Sequence, residues 1–247
     1  MKATERHRLK ENEFALSVAR AREAMAERRR EVATTATIAV VVLLAVGGFF
    51  AWRSNRTAKA TNLLASALAV AEAPVVAPPP PAPGSAPPVQ QPGTFRTERE
   101  RLEAAVPRLQ QAADAYPNTD PGITARYRLA SALAELGRYA EAEQRYQEVI
   151  AKAGRSSIYN RTARLGLGDV QLAQGKYDAA MATFKELSTD TQSQLPLDGV
   201  LMQLGRAAMQ AGKRDEATRA FTRIVDEFPQ SLYAAEAREK IAELKKA

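Results

Sequence analysis

Histidine and cysteine supply most of the general bases, thiol nucleophiles and zinc ligands found in proteins. This chain of 247 residues has one histidine, His7, and no cysteine. Carboxylates are plentiful, but Glu141, Glu143 and Glu148 stand among lysines and arginines at helix-surface spacings, the pattern of solvated faces rather than of a paired acid and base. No glycine-rich phosphate loop is present; Leu165-Gly166-Leu167-Gly168 lies within a helix-forming run. No catalytic, cofactor or metal site is expected, and no small-molecule substrate. What remains is binding. Tyr127, Ser131, Thr162, Leu165, Asp169, Leu172, Met202, Arg206 and Met209 recur at helical spacings and mix apolar with polar side chains. Such a set suits an apolar or amphipathic polypeptide segment, with methionines able to repack around varied ligands. The same periodicity also fits core positions.

The elements that carry these residues repeat. Leu129-Ala130, Gly137-Arg138-Tyr139-Ala140-Glu141-Ala142, Tyr146 and Val149 recur as Leu167-Gly168, Gly175-Lys176-Tyr177-Asp178-Ala179-Ala180, Phe184 and Leu187. They recur again as Leu204-Gly205, Gly212-Lys213-Arg214-Asp215-Glu216-Ala217, Phe221 and Ile224, so Gly137, Gly175 and Gly212 stand 38 and 37 residues apart. Each unit reads as two helices, with the glycine ending the first where a left-handed residue is needed. The small residue (Ala130, Gly168, Gly205) admits close approach, and the aromatic (Tyr146, Phe184, Phe221) fills the gap. A half unit, Ala105, Leu109, Ala112 and Tyr116-Pro117, parallels Ala217, Phe221, Ile224 and Phe228-Pro229. Its missing first helix is expected in Arg53–Ala73, and Ser231–Lys246 is expected as a terminal cap. These offsets resemble the tetratricopeptide repeat, with linkers three or four residues longer than its 34-residue period. The resemblance implies an all-α solenoid over residues 96–247 whose first helices line a concave face. The set from Tyr127 to Met209 is expected there, without the Lys/Asn cluster that clamps a C-terminal carboxylate in some members.

One stretch must place this domain. Residues 32–52 contain no charge, between Arg28-Arg29-Arg30 and Arg53. As a helix they are roughly 31 Å long, the thickness of a bilayer core. A cleaved signal peptide has a shorter apolar region, about 7–15 residues, so an uncleaved anchor is expected. Residues 1–31 hold nine basic and six acidic residues, whereas Arg53, Arg56 and Lys59 alone follow closely. The positive-inside bias then leaves the tail in the cytoplasm and sends the C-terminal domain across the membrane. Phe49-Phe50 and Trp52 suit the far interface. The tail could also form a helix with Phe14, Val18, Ala21 and Met25 on one stripe, although a solvated topogenic tail suffices.

Residues 53–73 read as a membrane-proximal helix that prolongs the span, and residues 74–95 as a proline-rich linker or insert. Nine prolines fall between Pro74 and Gly93. Proline fixes φ and lacks a donor, so an extended spacer of at most roughly 60 Å is expected. The formal charge of +7 is spread among interspersed acids and bases, which argues against a nucleic-acid footprint.

A short charged tail, one membrane helix and a tetratricopeptide-like domain resemble the YfgM-like family, ancillary subunits of the SecYEG translocon. Leu9-Lys10-Glu11-Asn12-Glu13-Phe14-Ala15 is similar to tails of that kind, while the proline insert departs from the pattern. The resemblance implies a single-pass protein of the bacterial inner membrane with its C-terminal domain in the periplasm. It also implies partners among SecYEG and periplasmic chaperones, and a role in export or chaperone hand-over. Tyr116-Pro117 and Phe228-Pro229 also resemble the repeat ends of periplasmic coordinators that link envelope constriction to division. An envelope-complex scaffold is therefore the alternative.

Overall fold

The computed structural model describes residues 15–19, 29–78, 90–190 and 195–246. Most of the tail and the centre of the proline-rich insert lie outside the described residues, and with them the expected Phe14–Met25 stripe. The chain divides into two compact units, Met1–Asn55 and Arg56–Ala247. Among the described residues the chain is helical, with no strand beyond one isolated bridge.

The first long helix, α1 (Arg29–Ala71), contains 43 residues. Its stretch Ala33–Ala71 is long and apolar enough to cross a membrane, with a mean hydropathy of 2.2 over its best window and none of that window buried. Ile38, Leu43, Leu44, Phe49 and Phe50 are exposed. Thr34, Thr35 and Thr37 do not spoil this surface. Their hydroxyls donate to the carbonyls of Arg30, Glu31 and Ala33 at 2.8–2.9 Å, so each polar group is satisfied within its own helix.

The second unit is a stack of helix pairs. From Arg56 onward α1 turns one face inward: Ala60 and Ala67 are buried, and Leu63 and Leu64 pack against Ala112, Ala113 and Ala125. It serves as first helix to α2 (Glu98–Ala115). Then follow α3 (Asp120–Glu135) with α4 (Tyr139–Lys152), α5 (Ile158–Ala173) with α6 (Tyr177–Thr189), and α7 (Leu197–Gln210) with α8 (Arg214–Glu227). Helix α9 (Ala234–Lys246) closes the stack. Along it α3 touches α5 and α5 touches α7, so the first helices lie side by side as one layer, the inner face that the repeat leads one to expect.

The turn inside each pair is the same device three times. Gly137, Gly175 and Gly212 have φ of +76°, +73° and +72°, the left-handed region that a Cβ disfavours. The next N–H then reaches back five residues: Arg138 to Leu133 at 2.8 Å, Lys176 to Gln171 at 2.9 Å, Lys213 to Ala208 at 2.8 Å. These bonds satisfy carbonyls that the helix end would otherwise orphan. The half unit shares its ending with the last full unit. Tyr116 and Phe228 adopt nearly the same cap conformation, φ −135° and −132°, ψ 60° and 56°, because the proline that follows each one disfavours the helical region.

The proline-rich segment does not act as an open spacer. Its two ends meet: Val75 pairs with Phe95, Phe95 N–H donates to Pro74 O at 3.0 Å and Val76 N–H to Phe95 O at 2.8 Å. Gln90 Nε2 bridges Val76 O and Thr94 Oγ1. The described ends of the segment are thus held together.

Candidate functional site

Two glycines in α5 set the distance between helices. A methyl on Gly168 would stand 2.5 Å from the Phe184 ring, and one on Gly166 would overlap the Tyr146 ring. The Leu165–Gly168 run therefore exists to seat one aromatic from its own pair and one from the pair before. Seated there, Tyr146 points its hydroxyl to Ser131 Oγ at 3.3 Å, and burial pushes the phenol up to about 12.

Around that point the inner face is aromatic. Tyr127 on α3 stands 6.1 Å from the Tyr146 ring and 5.7 Å from the Tyr159 ring on α5. Thr162, one turn along, returns its hydroxyl to Ile158 O at 2.9 Å. Further along, the face becomes polar. Gln203 Nε2 on α7 donates to Asp169 Oδ1 on α5 at 2.9 Å, and Arg206 pairs with Glu236 on α9 at 2.8 Å. Burial raises the Asp169 carboxyl to about 6, against the pull of Gln203 and Arg206.

The nine residues singled out in the sequence are therefore not all alike. Tyr127, Ser131, Thr162, Asp169 and Arg206 lie half-buried on first helices; Tyr127 and Ser131 meet through Tyr146, Asp169 and Arg206 through Gln203, and Thr162 bonds only its own helix. Leu165, Leu172 and Met209 are half-buried and pack onto the second core cluster. Met202 is corrected: it is 1% exposed, a core residue. It shares its repeat position with Tyr127 and Leu165, but Ala237 of α9 joins the same cluster and the position is covered. The face is thus more polar and aromatic than a methionine-lined groove.

Tyr159, Gln203 and Glu236 touch Tyr127, Asp169 and Arg206 respectively, and the sequence did not single them out. The available signal was helical spacing: Tyr159 precedes Thr162 by three, and Gln203 precedes Arg206 by three. Missed too was a repeated strut. Arg126 Nε lies 2.9 Å from Glu148 Oε2, with Arg126 almost wholly buried, and Arg164 pairs with Glu186. Both pairs are 22 residues apart in the chain. Glu143 likewise accepts from Lys176 at 2.6 Å and Gln174 at 2.8 Å. Burial raises its carboxyl, but these partners outweigh that and hold it below its ordinary range. Glu143 and Glu148 are struts between helices, not solvated faces; Glu141, bonded to Arg138 at 2.7 Å, is exposed.

Helix pairs ending in a left-handed glycine, small residues facing aromatics and a capping helix define a tetratricopeptide solenoid, a protein-interaction scaffold. The chain belongs to the family of the tetratricopeptide repeat-like domain, whose model matches residues 30–246. No curated protein matches the sequence. Among solved structures, nearly identical TPR-like repeats from Podosopora anserina are similar, at 15% identity and a TM-score of 0.52, covering 60% of this chain and 80% of that one. A tetratricopeptide repeat protein from Parabacteroides merdae is similar at 16% identity and a TM-score of 0.51, covering 60% of this chain and 56% of that one. These two likenesses speak to the fold alone.

Proposed function

We propose that the protein is a single-pass inner-membrane anchor for a periplasmic polypeptide-binding solenoid that assists Sec-linked export or hand-over to envelope chaperones. The reading rests on one observation: first helices bring together the Tyr127 and Tyr159 rings and, separately, Asp169 with Gln203. Half-buried rings offer stacking area at little entropic cost, while amide, carboxylate and guanidinium groups can meet the polar backbone of an extended segment. The apolar surface of α1 supports the anchor, and the basic tail before it supports a cytoplasmic N-terminus. The proposed subdivision is tail 1–31, span 32–52, membrane-proximal helix 53–73, insert 74–95 and solenoid 96–247.

The test is binding of fluorescent amphipathic peptides to the full chain in detergent micelles. Tyr127→Ala and Arg206→Glu are each expected to weaken binding about 10-fold, the effect of losing about 1.4 kcal/mol. Unchanged affinity in both, with binding lost instead in Gln147→Glu and Lys185→Glu on exposed faces of α4 and α6, would favour a scaffold that docks one envelope complex through its outer surface.

A further inference from the structure

Away from the inner face, the α4–α5 connection, the start of α5 and the end of α6 line an open cavity of about 370 Å³. Three arginines line it, Arg155, Arg161 and Arg164, together with Asn160, Glu186 and Asp190. None of the residues of the peptide-binding face takes part. Three of the six are already engaged with one another, since Arg164 bonds both Asn160 Oδ1, at 3.0 Å, and Glu186. Asn160 also donates to Ile150 O at 2.9 Å and Ala153 O at 3.1 Å. Arg161 differs. It is only 8% exposed, yet among the described residues its buried Nε–H meets no acceptor.

A buried guanidinium group is costly to hold without an acceptor. Arg126, in the preceding pair, also has a buried Nε without an aligned bond, but Glu148 Oε2 stands 2.9 Å from that atom and supplies the charge. Arg161 lines an open cavity instead. The three arginines against two carboxylates leave the lining with one formal positive charge. A guanidinium presents a planar fork that matches an oxyanion, and a lining of net charge +1 is neutralised by one negative charge, not two.

We propose that this cavity binds a carboxylate group of single charge, held by Arg161 from within and Arg155 at the mouth. The group comes from a small organic acid or from an acidic side chain of a polypeptide. Because the cavity shares no residue with the inner face, this site stands or falls independently of the peptide-binding reading.

The test is isothermal titration of the full chain in detergent micelles with propionate, propionamide, inorganic phosphate and a blocked tripeptide carrying one glutamate. Saturable binding of propionate but not propionamide is expected, weakened at least 5-fold by Arg155→Gln, an exposed position, and by Arg161→Gln. Tighter binding of the tripeptide than of propionate assigns the source to a polypeptide; weaker or equal binding assigns it to a free acid. No saturable heat for either acid, tighter binding of phosphate than of both acids, or affinity unchanged in Arg155→Gln would overturn the proposal. Arg155→Gln keeps the test decisive if Arg161→Gln fails to fold.

Discussion

The ring of Phe221 on α8 occupies the space that any side chain on Gly205 of α7 would need. Both residues are buried, Phe221 completely, so neither can move aside without opening the second core. Gly205→Ala is expected to destabilise the solenoid by about 1–3 kcal/mol through overpacking, despite alanine's better helix propensity. Phe221→Leu made in the Gly205→Ala background should recover part of that loss, while alone it costs stability. Urea unfolding of the four proteins forms a double-mutant cycle that measures the coupling.

Arg126 and Glu148 give a second, independent prediction. Arg126 also donates to Ala113 O at 2.9 Å and Pro117 O at 3.3 Å, so it ties α2, α3 and α4 at one point. Removing Glu148 leaves that buried cation short of a partner. Glu148→Ala is expected to cost about 3 kcal/mol, whereas Arg138→Ala at the exposed Arg138–Glu141 pair costs less than about 1 kcal/mol. Chemical denaturation of the two variants, compared at equal ionic strength, distinguishes them.

These two contacts also mark what a reader of the sequence could and could not see. Gly205 and Phe221 were legible because the repeat places a small residue and an aromatic at fixed offsets three times over. The left-handed glycines at 137, 175 and 212 were legible for the same reason. Arg126 and Glu148 were not, since charge on a helix usually means solvent, and only the 22-residue recurrence in Arg164 and Glu186 betrays the strut. Met202 was misplaced because helical spacing groups it with Arg206, four residues on, although Met202 lies in the core and Arg206 is only half-buried. Which of two neighbouring stripes is covered depends on α9, an element that no periodicity within α7 can announce.

The raised carboxyl of Asp169 has a consequence for stability. Its folded pKa of about 6 exceeds the ordinary 3.8, so the folded state holds this proton more tightly. Well below pH 4 both states are protonated and the raised pKa costs no stability. Between about pH 4 and 6 the unfolded chain ionises first and stability falls; above pH 6 the loss is complete, on the order of 1–3 kcal/mol. Asp169→Asn keeps a partner for Gln203 and removes the titration. It should unfold at higher urea than the parent at pH 7, and the difference should shrink as the pH is lowered to 4.

Orientation is directly accessible because the chain has no cysteine. Gly154 is exposed, with open space around its Cα, so Gly154→Cys introduces a thiol without a clash. In spheroplasts a membrane-impermeant maleimide is expected to label it without lysis, while Thr4→Cys in the tail should label only after lysis. The reverse pattern would place the solenoid in the cytosol.

The central claim, that the first-helix face grips polypeptide outside the membrane, is tested most directly by crosslinking in living cells. A photoreactive residue placed at Tyr127, Thr162 or Leu172 should yield adducts with many secreted chains, and the same residue at Gln147 or Lys185 on α4 and α6 should yield few. Adducts confined to Gln147 and Lys185, or to one stable protein from every position, would contradict it.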